Sequence, residues 1–110
     1  MPDCIFCKIV NKEIETELIY EDSKIIAFND ISPVAPVHIL VIPKEHFSTI
    51  EDAKDSDILS HLFSKVVEIA KMKNLENYRL IINKGEKAGQ TVFHLHIHII
   101  GKRDLKWPPG

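Results

Sequence analysis

Between Phe93 and Ile100 the chain reads FHLHIHII, placing His94, His96 and His98 at every second position with apolar residues between them. Successive side chains of an extended strand point to opposite faces. The stretch therefore predicts a strand with one imidazole face and one apolar face of Phe93, Leu95, Ile97 and Ile99. The apolar face requires a core to lie on. A merely solvated strand face would ordinarily carry Lys, Glu, Thr or Ser, so three imidazoles in step point to metal ligation or catalysis.

The rest of the chain supplies that core. ELIYEDSKIIAFND reads as a hairpin, Leu18 to Glu21 and Ile25 to Phe28, about a turn at Asp22 and Ser23. Pro33 and Pro36 keep residues 31–37 in an extended loop, after which His38 to Ile42 forms a nearly continuous apolar strand ended by Pro43. In DSDILSHLFSKVVEIAKMK, Ile58, Leu59, Leu62, Phe63, Val66, Val67, Ile69 and Ala70 recur at i, i+3, i+4 spacing. This predicts one long amphipathic helix, capped by Asp55 or Ser56, with His61 on its solvated side. CIFCKIVNK has helical spacing for only a turn or two. Tyr78 to Asn83 forms a second hairpin with the histidine strand, across a loop with Gly85 and Gly89 near its ends. Strands, one main helix and further strands imply an α+β fold with an antiparallel sheet.

A chain of 110 residues suits a single domain spanning 1–110. Its net charge of -2 gives no basic footprint for nucleic acid or for an anionic membrane, so any anionic ligand must be held locally. No apolar run is long enough to cross a bilayer, and the first residues lack the uninterrupted apolar stretch of a secretory signal. The expected compartment is the cytoplasm, with the nucleus open to so small a chain. Cys4 and Cys7 are the two cysteines. In a reducing compartment their Cys-x-x-Cys spacing fits metal binding or redox chemistry better than a structural disulfide. Trp107, before Pro108 and Pro109, calls for a covering surface on the domain or on a second subunit.

Three readings compete for the histidines. His96 and His98, with a third such as His38, hold a catalytic metal that keeps an open position for water. Alternatively, one imidazole is a nucleophile or general base that the others orient. In the third reading the rings simply hydrogen-bond within a polar surface. The loop NKGEKAGQT favours the second. Gly85 and Gly89 let backbone N–H groups approach a phosphate, Gln90 and Thr91 offer neutral donors, and a neutral imidazole can attack phosphorus.

HLHIHII resembles the His-φ-His-φ-His-φ-φ signature (φ apolar) of the histidine triad, or HIT, superfamily of nucleotide-binding enzymes. CIFCKI, AFNDISPVAPVHILVIPKEH, NKGEKAGQTVFHLHIH and the terminal WPPG carry the resemblance over nearly the whole chain. They are most similar to the HINT branch, also called protein kinase C interacting proteins. The resemblance implies an antiparallel sheet of about five strands with one long helix and a short N-terminal helix, the sheet continuing across a homodimer.

It also implies a purine nucleoside phosphoramidate hydrolase, acting on adenosine 5'-phosphoramidate or a similar substrate through a nucleotidyl-histidine intermediate. The alternative is a nucleotide-binding interaction module with little turnover and an unidentified protein partner. By this resemblance His96 is the nucleophile, His98 holds phosphate oxygens, His38 relays protons or orients, and Thr91 assists the leaving amine. Asn83, Gly89, Gln90 and Val92 join the nucleotide site, Asp30 accepts the ribose hydroxyls, and Phe6, Ile9, Phe28 and Ile31 line the base pocket. Read without it, those four are plain core and Asp30 is a turn residue. Trp107 is expected to reach the neighbouring subunit's site. The implied cofactor is a structural zinc on Cys4, Cys7, His46 and His94, with none required for catalysis.

Overall fold

A computed structural model describes residues 3–110. Five antiparallel strands form one sheet in the order β1-β2-β3-β5-β4, where β1 is Leu18–Glu21, β2 Ile25–Asn29, β3 Val37–Pro43, β4 Tyr78–Ile81 and β5 Ile97–Gly101. Helix α1 (Ile5–Val10) covers part of one face and helix α2 (Ile58–Met72) covers the other.

Period-two alternation divides the core between these faces. In β2, Ile25 and Ala27 join Ile39, Val41, Ile97 and Ile99 beneath Leu62, Val66 and Ile69 of α2. Their neighbours Ile26 and Phe28 join Leu40 and Ile42 beneath Phe6 and Ile9 of α1. The near-continuous apolar runs of β2 and β3 thus belong to strands buried on both faces.

The expected apolar stripe on α2 is narrower than the sequence suggests. Ile58, Leu62, Val66, Ile69 and Ala70 are buried, whereas Phe63 and Val67 are 40% and 44% exposed. Ser56 contributes to the helix start, its Oγ accepting the Ile58 N–H at 3.1 Å, while Asp57 occupies the cap position without a side-chain bond.

His61 is not the free solvated residue its helical position suggests. Its Nε2 lies 2.7 Å from Asp22 Oδ2, and the Tyr20 hydroxyl donates to that same oxygen at 2.8 Å. Burial works against the Asp22 carboxylate, but N–H groups of Lys24 and Ile25, with His61 and Tyr20, together hold its carboxyl well below the usual carboxylate range. Asp22 thereby ties the β1–β2 turn to α2. A depressed folded-state pKa stabilises above the unfolded value and fades as pH falls through the folded one. The stability difference between wild type and Asp22→Ala, read from urea midpoints, is therefore expected to be largest near neutrality and to shrink below about pH 4. A difference independent of pH would exclude this ionic tie.

The histidine strand also departs from expectation. Regular pairing begins at Ile97, so only His98 lies within the ladder. Alternation nonetheless holds upstream: His94 and His96 are buried, and Leu95 packs on the α2 side. Phe93 breaks it, standing 47% exposed instead of anchoring the apolar face.

Candidate active site and metal cluster

The β3–β5 register pairs His38 with Ile100 and Leu40 with His98, which puts His38 and His98 on one face as diagonal neighbours. The Val34 N–H donates to His38 Nδ1 at 3.1 Å, assigning the proton of that ring to Nε2. His38 Nε2 in turn lies 2.9 Å from His98 Nδ1 and 3.3 Å from Asp30 Oδ2. His98 Nδ1 is therefore the acceptor and Nε2 carries its proton. That Nε2 is buried without a partner, a donor with an unmet bond.

His96 is fixed in the opposite sense. Its Nδ1–H donates to the backbone carbonyl of His94 at 2.7 Å, which leaves a lone pair on Nε2. Phe6 of α1 presents its edge to this ring at a centroid distance of 5.1 Å, and the His96 and His98 rings lie 4.9 Å apart. Burial is the main cause that lowers the pKa of both rings, to about 4 for His98. Both imidazoles are thus neutral near pH 7, one offering a lone pair and its neighbour an N–H.

The remaining site residues fall into place unequally. Phe6, Ile9 and Phe28 pack in one cluster, with Val92 against it, whereas Ile31 is 97% exposed. Pro33 and Pro36 hold its segment in an irregular loop that turns its side chain to solvent. Asp30 both makes a turn, accepting the Ser32 N–H at 2.8 Å through Oδ1, and faces His38 through Oδ2. Gly85 and Gly89 both have φ +97°, a backbone region that suits glycine, and Asn83 Nδ2 reaches the Gly89 carbonyl at 3.5 Å. Thr91 is exposed at the rim.

Gln90 corrects the reading of it as a ligand donor. Its amide donates to the carbonyls of Ser48 and Val92 at 2.8 and 3.1 Å, and its Oε1 accepts the Gly85 N–H at 2.9 Å. Both donor hydrogens are used internally, so Gln90 braces the loop. Trp107 is 81% exposed and does not pack on its own domain.

A second cluster lies on the α1 side of His96. Cys4 Sγ is 3.4 Å and Cys7 Sγ 3.6 Å from His94 Nδ1, while Cys7 Sγ is 3.3 Å from His46 Nδ1. One donor atom from each of these four residues lies within 4.8 Å of the others. His94 Nε2 donates to the Pro43 carbonyl at 2.8 Å, so its Nδ1 faces the thiols with a lone pair, as a metal ligand must. Burial lowers the His94 pKa to about 4 and pushes the Cys7 thiol up. Two sulfurs and two imidazole nitrogens at these separations fit tetrahedral zinc. Asp30, His38 and His98 also stand close enough to share an ion. His96 is not in that group, so the anticipated His38, His96 and His98 ligand set does not assemble.

A cleft of about 360 Å³ opens between Cys4, His46, Ser48, Thr91 and Phe93, beside the cysteine–histidine cluster. A larger cavity of about 860 Å³, between residues 74–79 and 102–105, contains no histidine or cysteine. Chemistry therefore favours the smaller.

Residues 11–105 match the HIT domain family. The chain belongs to that family. This HIT domain is 49% identical over 111 residues to an uncharacterized HIT-like protein of Synechococcus elongatus, covering 98% of this chain and 97% of that one. Among solved structures, a HIT family hydrolase of Legionella pneumophila superposes with a TM-score of 0.94 at 42% identity, covering 98% of this chain and 100% of that one. A protein described as a histidine triad nucleotide-binding protein of Candida albicans superposes at 0.86 with 36% identity, covering 94% and 77%. No helix among the described residues is long and apolar enough to cross a membrane.

Proposed function

We propose that this HIT domain hydrolyses the P–N bond of purine nucleoside phosphoramidates through a nucleotidyl intermediate on His96. The carrying observation is the 2.7 Å bond from His96 Nδ1 to the His94 carbonyl, which reserves the Nε2 lone pair for attack. In the first step His96 Nε2 bonds to the α-phosphorus, the P–N bond breaks, and the departing nitrogen takes a proton that we assign to the Thr91 hydroxyl. His98 Nε2–H donates to a non-bridging oxygen as charge gathers there. His38 keeps His98 in the donor tautomer. Water then attacks phosphorus while its proton returns to the Thr91 oxygen, and the P–N bond to the imidazole breaks with its electron pair going back to His96 Nε2, which releases AMP. Asp30 takes the ribose hydroxyls, and Phe6, Ile9 and Phe28 hold the base.

Zinc, where bound by Cys4, Cys7, His46 and His94, supplies cross-linking of α1 to the sheet and no Lewis-acid role at phosphorus. The test is AMP release from adenosine 5'-phosphoramidate with excess chelator present. Hydrolysis that persists supports the assignment. Its complete absence with AMP still bound would replace the enzyme by a nucleotide-binding interaction module.

A homodimer completes the reading. The unpaired edge of β4, the exposed Phe63 and Val67 on α2, and the uncovered Trp107 support a second copy as the cover. Sedimentation at twice the chain mass is the expected result, and sedimentation as a monomer at micromolar concentration would reject it. A reducing compartment such as the cytoplasm keeps Cys4 and Cys7 available as ligands.

A further inference from the structure

The four donors of the Cys4–Cys7–His46–His94 cluster belong to three segments, each of which holds a different wall of the site around His96. Cys4 and Cys7 begin α1, whose Phe6 lies edge-on against the His96 ring and against Phe28, with centroids 5.1 and 5.7 Å away. A helix of six residues has little stability of its own, so its position depends on what ties it down.

His46 opens the second connection. Its neighbour Phe47 accepts the Leu95 N–H at 2.6 Å, and Ser48 accepts the Gln90 amide at 2.8 Å. Gln90 then accepts the Gly85 N–H at 2.9 Å, so the glycine loop hangs on the segment that carries His46. The third connection runs through a single residue. His94 turns its Nδ1 to the thiols and its own carbonyl to His96 Nδ1 at 2.7 Å.

We propose that zinc on these four residues acts as a keystone for the nucleotide site, so that metal occupancy sets nucleotide affinity as well as fold stability. This rests on the nucleotide reading above. The metal draws together the base wall, the glycine loop and the nucleophile's backbone anchor, three parts that the chain otherwise joins only through single hydrogen bonds and packing. Without it α1 and the 84–91 loop sample other positions, and a nucleotide must bear the cost of ordering them. Gln90 is the positioning residue of the loop connection.

Coupling of this kind is reciprocal, which gives a readout independent of turnover. AMP affinity is measured by calorimetry on the zinc-loaded and the chelated protein. Zinc affinity is measured by competition with a chromophoric chelator, with and without AMP. Zinc is expected to tighten AMP by about tenfold or more, and AMP to tighten zinc by the same factor. Gln90→Met, which keeps all four ligands, is expected to reduce that factor while zinc affinity without AMP stays close to wild type. Should the chelated chain lose its far-ultraviolet circular dichroism, Cys4→Ala with its three remaining donors takes its place, with weakened AMP binding expected.

Equal AMP affinity with and without zinc, or a zinc affinity that ignores AMP, overturns the keystone alone. No AMP binding in either form overturns the nucleotide reading, and the keystone with it.

Discussion

His96→Ala is expected to slow AMP release from adenosine 5'-phosphoramidate by roughly 10⁴-fold or more, with AMP affinity changed by only a few-fold. The size follows from the intermediate. Alanine has nothing to bond to phosphorus, so the reaction reverts to direct attack by water, and the donors around the oxygens speed that route but cannot replace the nucleophile. In the proposed function, nucleotide binding draws instead on Phe6, Phe28, Asp30 and the glycine loop, none of which needs the imidazole. The kinetic signature is a fall in kcat with KM nearly constant. A variant that keeps a tenth of wild-type turnover would remove His96 as nucleophile and leave it a neighbour of the reaction.

Leu62→Ala is the substitution expected to damage the fold most, by about 2–5 kcal/mol. Leu62 is fully buried in the α2-side cluster, where Ile39, Ile97 and Ile99 of the sheet meet the helix. Removing its side chain loses hydrophobic transfer and leaves a cavity that neighbours in a regular sheet fill poorly. Against the 5–15 kcal/mol typical of a whole domain, that is a large share of the total. A fall in urea midpoint at unchanged slope is the expected reading. Phe63→Ala, one position along but 40% exposed, serves as the comparison, with a smaller effect on the isolated subunit. A loss below about 1 kcal/mol for Leu62→Ala would show the contact between α2 and the sheet to be looser than its burial implies.

Periodicity made much of this architecture readable. The alternating histidines, the apolar run from His38 to Ile42 and the three-and-four spacing of α2 all report which side of an element meets the core. The family signature added the roles, because no spacing can reveal that His96 and not His98 keeps a free lone pair. That difference arises from a carbonyl two residues back in one case and from His38, sixty residues away, in the other. Misreadings came where a residue's use is set by non-local partners. His61 looked solvated because Asp22 lies thirty-nine residues from it, and Gln90 looked free because Ser48 is forty-two away.

His96, the proposed nucleophile, stands one residue ahead of the ladder that begins at Ile97. From His98 onward β5 is paired on both sides, so its amides exchange hydrogen with water only when much of the sheet opens, whereas residues 92–94 lie in bends outside the ladder and are expected to exchange more readily. His96 therefore sits at a boundary between slow and fast breathing. Its ring is aimed from outside the ladder through the His94 carbonyl, while His98 is held within it. In the proposed reaction the ring that would meet the phosphate oxygens is thus fixed by the sheet, and the backbone that orients the attacking nitrogen lies just beyond it.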